Sequence, residues 1–185
     1  MSTILRGPFF GKTTIVVPSG RLDLRPPKII VGISLTPADG ENSLPQGVIT
    51  LPAILDTGFN RTLEIDERHL FKWAGLRKEH LDLSAKDRFH EARRYALGVA
   101  NIWLHRTPYA GPRTPPARPP LLLEDSPQVR VMAPIGKPNP RLPLLGLMAL
   151  VNNKLQLSID GENSHFRIYK SLRLSLSDFY RELVG

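Results

Sequence analysis

Eleven of the 18 prolines in this chain of 185 residues fall between residues 107 and 143. Proline fixes φ and removes a backbone donor, so such a stretch can hold neither a helix interior nor a central strand. "RTPYAGPRTPPARPPLLLEDSP" is therefore expected to be a long exposed excursion, extended or mobile. The ordered fold has to be assembled from what lies on either side of it. The length suggests one domain, and the expected organisation is an N-terminal arm over 1–27, a domain over 28–170 with 107–143 as an insertion, and a C-terminal tail over 171–185.

The flanking segments read mainly as strands. "KIIVGISL", Lys28 to Leu35, is a short β-branched apolar run. "VITLPAIL", Val48 to Leu55, is a second one, and its Pro52 argues for a sheet edge or a bulge. "HLDLSA" and "RRYALGVANIWLHR" follow, the latter expected to bend near Gly98, and Val129 to Met132 is a further short strand. In "KLQLSIDGENSHFRIYK" the apolar residues alternate on both sides of a turn at Gly161 to Ser164, which predicts a hairpin. Helical spacing occurs at Glu67–Ala74, with Asp66 to cap it and Gly75 to stop it, and again in a short apolar helix starting near Gly146. The tail "SLSDFYRELVG" has the pattern of a short amphipathic helix. The expected class is mostly β with two short helices in the body.

Hydrophobic residues make up 41% of the chain and charged residues 23%, enough apolar surface for a sizeable core. The absence of cysteine excludes disulfides, thiolate metal sites and a cysteine nucleophile. A net charge of +8 attracts anionic partners, but the basic residues are dispersed and "RKEHLDLSAKDR" mixes both signs, so a solvated basic surface is the simpler reading. No apolar run approaches the ~20 residues that span a bilayer. The first residues lack a long apolar core, so no secretory signal and a cytoplasmic location are expected. No two histidines have the i, i+4 spacing of a zinc helix, the one "PSG" serine lacks the strand–turn–helix setting of a nucleophile, and no metal or cofactor is expected.

"AILDTGFNRTLEI", Ala53 to Ile65, ends an apolar strand on a carboxylate and turns at once on a glycine. Taken alone, Asp56 reads as an ordinary strand-end carboxylate satisfied by backbone N–H groups. Downstream, "LPLLGLMALVNNKLQLSID" gives two apolar residues and a glycine, then a short helix, then a strand. Together the two segments resemble the signatures of the retropepsin-like aspartic proteases, closest to the bacterial and archaeal single-domain group, in which a phenylalanine often follows the glycine. The resemblance covers about Ile29 to Tyr169, with the proline-rich stretch as an insertion.

The resemblance implies an acid-protease closed β-barrel acting as a homodimer, an aspartic-type endopeptidase whose water is activated between two copies of Asp56. Thr57 would hydrogen-bond across the two-fold axis, and Gly58 would turn the chain and donate to the carboxylate. Leu144, Leu145 and Gly146 would pack a second loop beneath the first, and Phe59 would stand beside the acid. A flap hairpin is expected within Leu83–Ala96. It has no glycine at its tip, so either the flap is shorter or its turn is made by Ala85, Lys86 and Asp87, which would then lie near the substrate. The implied partners are a second copy of the chain and a peptide or protein substrate. The competing expectation is a catalytically idle module of the same fold that binds a protein or nucleic acid through its proline-rich and basic surface.

Overall fold

The computed structural model describes residues 2–9, 13–25, 27–40, 43–81, 84–90, 93–115, 117–124, 128–134 and 141–170, with backbone alone at 84–90 and 93. The expected C-terminal helix lies outside the described residues. The strands are Ser2–Pro8 (β1), Thr13–Val17 (β2), Gly20–Leu24 (β3), Ile30–Pro37 (β4), Leu51–Asp56 (β5), Leu63–Asp66 (β6), Ser84–His90 (β7), Arg93–Leu104 (β8), Leu121–Leu123 (β9), Gln128–Met132 (β10), Leu144–Gly146 (β11), Leu155–Asp160 (β12) and His165–Lys170 (β13). Two α-helices, Glu67–Ala74 (α1) and Leu147–Asn152 (α2), complete a mostly-β chain. No helix among the described residues is long and apolar enough to cross a membrane.

The main sheet runs β10–β6–β11–β5–β4–β8–β7, and β8 also pairs with β10, so the ladder returns on itself as a ring. The twelve residues of β8 make that closure possible. Tyr95–Val99 pair with β10 and Ala100–Leu104 pair with β4, the change of partner falling just after Gly98. Pro52 sits in β5 opposite Gly32 of β4, while β11 reaches only Ile54–Asp56 on the other side. Its missing N–H thus falls where β5 has a neighbour on one flank only. β4 is buried from Ile30 to Thr36, as expected of a strand covered on both faces.

α1 has the boundaries its caps prescribe. Asp66 accepts from the Arg68 N–H at 2.9 Å, and Gly75 ends the helix at φ 69° with its N–H turned back to Leu70 and Phe71. Leu70 and Trp73 are buried. His69 is also buried, stacked on Trp73 at 3.8 Å between ring centroids. The i, i+4 spacing carries it onto the face that Trp73 occupies, and burial lowers its pKa.

Two expectations change. The segment set apart as an arm is integral: β1 pairs with β13, β2 and β3 form a hairpin, and Ile4, Leu5, Ile15, Val17 and Leu24 join the main hydrophobic cluster. Each such side chain contributes about 1.5–3 kcal/mol, more than an appendage held by a few surface contacts would have. The proline-rich stretch is likewise partly packed. β9 pairs with β8 over Ile102–Leu104, Pro112 O accepts from Thr50 N at 3.1 Å, and the buried Tyr109 donates its hydroxyl to Val16 O at 2.7 Å. Proline forbids a central strand, but it does not forbid an irregular segment that lends its carbonyls and an aromatic ring.

At the end of β8 the imidazole of His105 is buried between β4 and the segment before β5. Its Nε2 lies 2.9 Å from Ser34 Oγ and 3.4 Å from Thr50 Oγ1. The Ser34 hydroxyl donates to Ile49 O, so the ring N–H donates to Ser34 and the imidazole is held neutral. Burial pulls the pKa of His105 down to about 4. The unfolded chain takes up this proton near pH 6.5 and the folded chain does not, so the contribution is complete above about pH 6.5 and is lost as the pH falls towards 4. On that linkage, acidification from pH 7 to 4 is expected to remove roughly 3 kcal/mol through His105. Urea-unfolding midpoints measured across this range should fall less steeply for His105→Asn than for the wild type.

Candidate functional site

The loop at residues 57–62 joins β5 to β6, and β11 is inserted between those two strands. It runs parallel to β5, pairing Leu144 with Ile54, Leu145 with Leu55 and Gly146 with Asp56. It runs antiparallel to β6, pairing Leu144 with Glu64 and Leu145 with Leu63. Side chains alternate along a strand, so Ile54, Asp56, Leu144 and Glu64 share one face, and the buried Leu55, Leu63 and Leu145 share the other.

Backbone bonds fix the loop on this frame. Gly146 N donates to Thr62 O and Leu147 N to Phe59 O, both at 2.9 Å. Gly58 N donates to Asp56 Oδ1 at 2.9 Å and Phe59 N to Asp56 O at 3.2 Å. Gly146 is needed for approach rather than for torsion, since its φ is −90°. A Cβ there would overlap the carbonyl oxygens of Phe59 and Arg61 and lie 2.7 Å from Phe59 Cδ1. Asp56 is half-buried at the rim of the ring, and Thr57 and Gly58 are exposed beyond it. Asp56, Thr57, Gly58, Phe59, Leu144, Leu145 and Gly146 are thus brought into one pair of interlocked loops.

A cavity of about 400 Å³ opens on the face that Ile54 and Leu144 present, walled by Lys28, Glu64, Asp66 and Arg141. Asp56 does not line it; it stands two residues along β5 from Ile54, on the same face. Glu64, on the wall of the cavity, is paired to a group the sequence reading missed. Arg130 of β10 is buried, paired to Glu64 at 3.2 Å, with its guanidinium carbon 4.3 Å from the Tyr95 ring centroid and 6.0 Å from that of Phe59. The parallel register sets Arg130 opposite Glu64, and the pair backs the phenylalanine that touches Gly146. A lone arginine inside the apolar strand "QVRVM" was the available signal, legible only once Glu64 is known to lie across from it.

The hairpin assigned to substrate contact is β7–β8, but its turn is not at Ala85–Asp87. Those residues continue β7, the chain reverses between the paired His90 and Arg93, and the register shifts between Ser84 and Arg88. Among the described residues β7 pairs only with β8, and no group of three or more His, Asp or Glu could hold a metal ion. No family model, curated protein or solved structure matches this chain.

The contacts at Gly146 are with backbone, which cannot swing aside. Gly146→Ala is expected to lower stability by about 1–3 kcal/mol or more in urea titration, whereas Gly161→Ala, with open space around it, should change little. Removing one partner of the buried pair strands a charge, so Glu64→Ala is expected to cost about 3–5 kcal/mol. The apolar double replacement Glu64→Leu with Arg130→Met should recover most of that loss in the same titration.

Proposed function

We propose that the protein is an aspartic-type endopeptidase of the retropepsin kind, working as a homodimer. The observation that carries the reading is the threading of β11 between β5 and β6, which seats Gly146 against the Asp56 loop and holds that carboxylate at an exposed rim. The ring-like sheet would then be the closed barrel of that family, and the resemblance of the two loop sequences supports the same conclusion.

One carboxylate cannot act as base and acid in the same step of peptide hydrolysis. Two of them facing each other across a two-fold axis can, because like charges a few ångströms apart favour a state in which the pair shares one proton. The ionised member takes a proton from water as its oxygen attacks the carbonyl carbon, and the protonated member gives its proton to the carbonyl oxygen. Collapse of the tetrahedral species breaks the C–N bond, and the proton taken from water passes to the leaving amine. The partner loop would approach across the exposed Thr57–Gly58 rim, with each Thr57 hydroxyl bonding to the opposite chain. An extended peptide suits the adjacent cavity, whose floor at Ile54 and Leu144 is apolar and whose walls carry both signs of charge.

Peptide-library cleavage by the wild type and by Asp56→Asn tests this. The variant is expected to lose about 10²–10⁴-fold in rate with no change in fold, and a pepstatin-type inhibitor should block the wild type. Equal products from both proteins would sink the assignment.

A further inference from the structure

We propose that the cavity beside the Asp56 loop selects peptides by an acidic side chain, which it holds through Arg25, Lys28 and Arg141. This rests on the reading above, which seats a peptide there, and it names the class of substrate.

The three cations reach the cavity from separate parts of the chain. Arg25 follows β3, Lys28 precedes β4 and Arg141 precedes β11. Asp23, Glu64 and Asp66 bring three carboxylates to the same walls. The two signs do not cancel. Glu64 is held by Arg130 and Asp66 by Arg68, each at 3.2 Å, and neither arginine lines the cavity. Asp23 accepts a hydroxyl bond from Thr14 at 2.6 Å. Arg25, Lys28 and Arg141 enter no ion pair among the described residues. The walls, with the two arginines paired to them, carry five cations against three carboxylates, an excess of two positive charges.

This charge stands over an apolar floor of Ile54, Leu142 and Leu144. A cleft lined by one sign of charge, with low-dielectric walls, focuses its field on whatever enters. Arg25 and Arg141 are exposed and Lys28 is half-buried, so all three stay hydrated until a ligand arrives. A glutamate side chain matches both parts of the site. Its methylenes cover the floor, and its carboxylate accepts from a guanidinium or an ammonium in charge-assisted bonds. A lysine at the same place would meet like charges, and that rejection sharpens the choice as much as the attraction does. The volume of about 400 Å³ is that of a ligand site rather than a packing gap.

The place of the selected residue follows from β5. Ile54 stands two residues before Asp56 on the same face, so the floor begins about 7 Å from the carboxylate at the rise of an extended strand. An extended substrate advances by the same rise. The acidic side chain therefore falls within about two residues of the bond that is cut.

Peptide-library cleavage at low salt reads the preference, with amidated C-termini so that side chains supply the only carboxylates. Near the cut, Glu is expected to exceed Gln by about tenfold in kcat/KM. Raising the salt to about 0.5 M should erode the difference, because exposed charges are screened. Lys28→Glu takes the excess charge to zero and should abolish the preference. Lys28→Glu combined with Arg141→Glu makes the excess negative and should turn the preference towards Lys. Arg167→Glu, at an exposed cation of β13 outside the cavity, should leave it unchanged. Circular dichroism checks the fold of each variant. Equal cleavage of Glu and Gln peptides, a Glu preference that survives the double reversal, or one that needs a free C-terminal carboxylate would overturn the inference.

Fluorescence anisotropy with labelled amidated peptides on Asp56→Asn keeps the two claims apart. Acidic peptides that bind this chain and are released by Lys28→Glu retain the cavity assignment even where the wild type cleaves nothing. Cleavage that needs Asp56 but treats Glu and Gln alike retains the protease and removes the acidic site. A single-stranded oligonucleotide that binds tighter than the acidic peptide, and loses that binding in Lys28→Glu, gives the cavity to nucleic acid and defeats the proposal.

Discussion

Everything at the rim of this molecule depends on one ladder, the seating of β11 between β5 and β6. Without it β5 would have β4 alone as a neighbour, β6 would have β10 alone, and the ring would stand open at the point where the Asp56 loop is formed. The ladder is short, three residues against β5 and two against β6, so it is specified by shape as much as by bond count. Leu145 fills the interior and Gly146 leaves no side chain between two backbones. The remaining carbonyls of the loop, at Phe59 and Thr62, take the N–H groups that open α2. A helix start that would otherwise have orphan donors thus spends them on the loop it supports.

Local rules carried the sequence reading a long way. Asp66 and Gly75 delimit α1 because a cap and a left-handed stop are properties of single residues. The hairpin of β12 and β13 could be read because alternation and a turn lie within a few positions of one another. Reasoning that treated proline as a breaker misplaced two segments. It set β1–β3 aside as an arm, although the β-branched run "TTIVV" and the alternating leucines of "GRLDL" on either side of a tight turn were there to read. It also left the stretch around Tyr109 exposed, although that side chain is buried. In both cases what pins the segment is a contact from far along the chain.

The candidate site divides in the same way. Both loops of the pair could be recognised as short strings, Asp56-Thr57-Gly58 and Leu144-Leu145-Gly146, but their contact is a tertiary fact. Arg130 and Glu64 went unnoticed because each is unremarkable within its own strand and becomes a buried pair only through the parallel register of β10 and β6. The hairpin turn was set too early for a related reason. A turn lacking glycine leaves no local mark, and strand pairing decides where it falls. His105 belongs to the same class, an isolated histidine whose meaning comes from Ser34 and Thr50 on other segments.

The pairing of Leu144 with Ile54 also has a consequence in time. Strand pairs that close long stretches of chain form late, because the entropy of loop closure must be overcome before their contacts repay it. β4, β5, β6 and α1 all leave the ribosome well before β11, and none of them can set the Asp56 loop in its final shape. The Asp56 loop is therefore completed only when β11 and the start of α2 have arrived and threaded into place. A nascent chain, or one truncated before β11, carries the carboxylate without the frame that holds its loop.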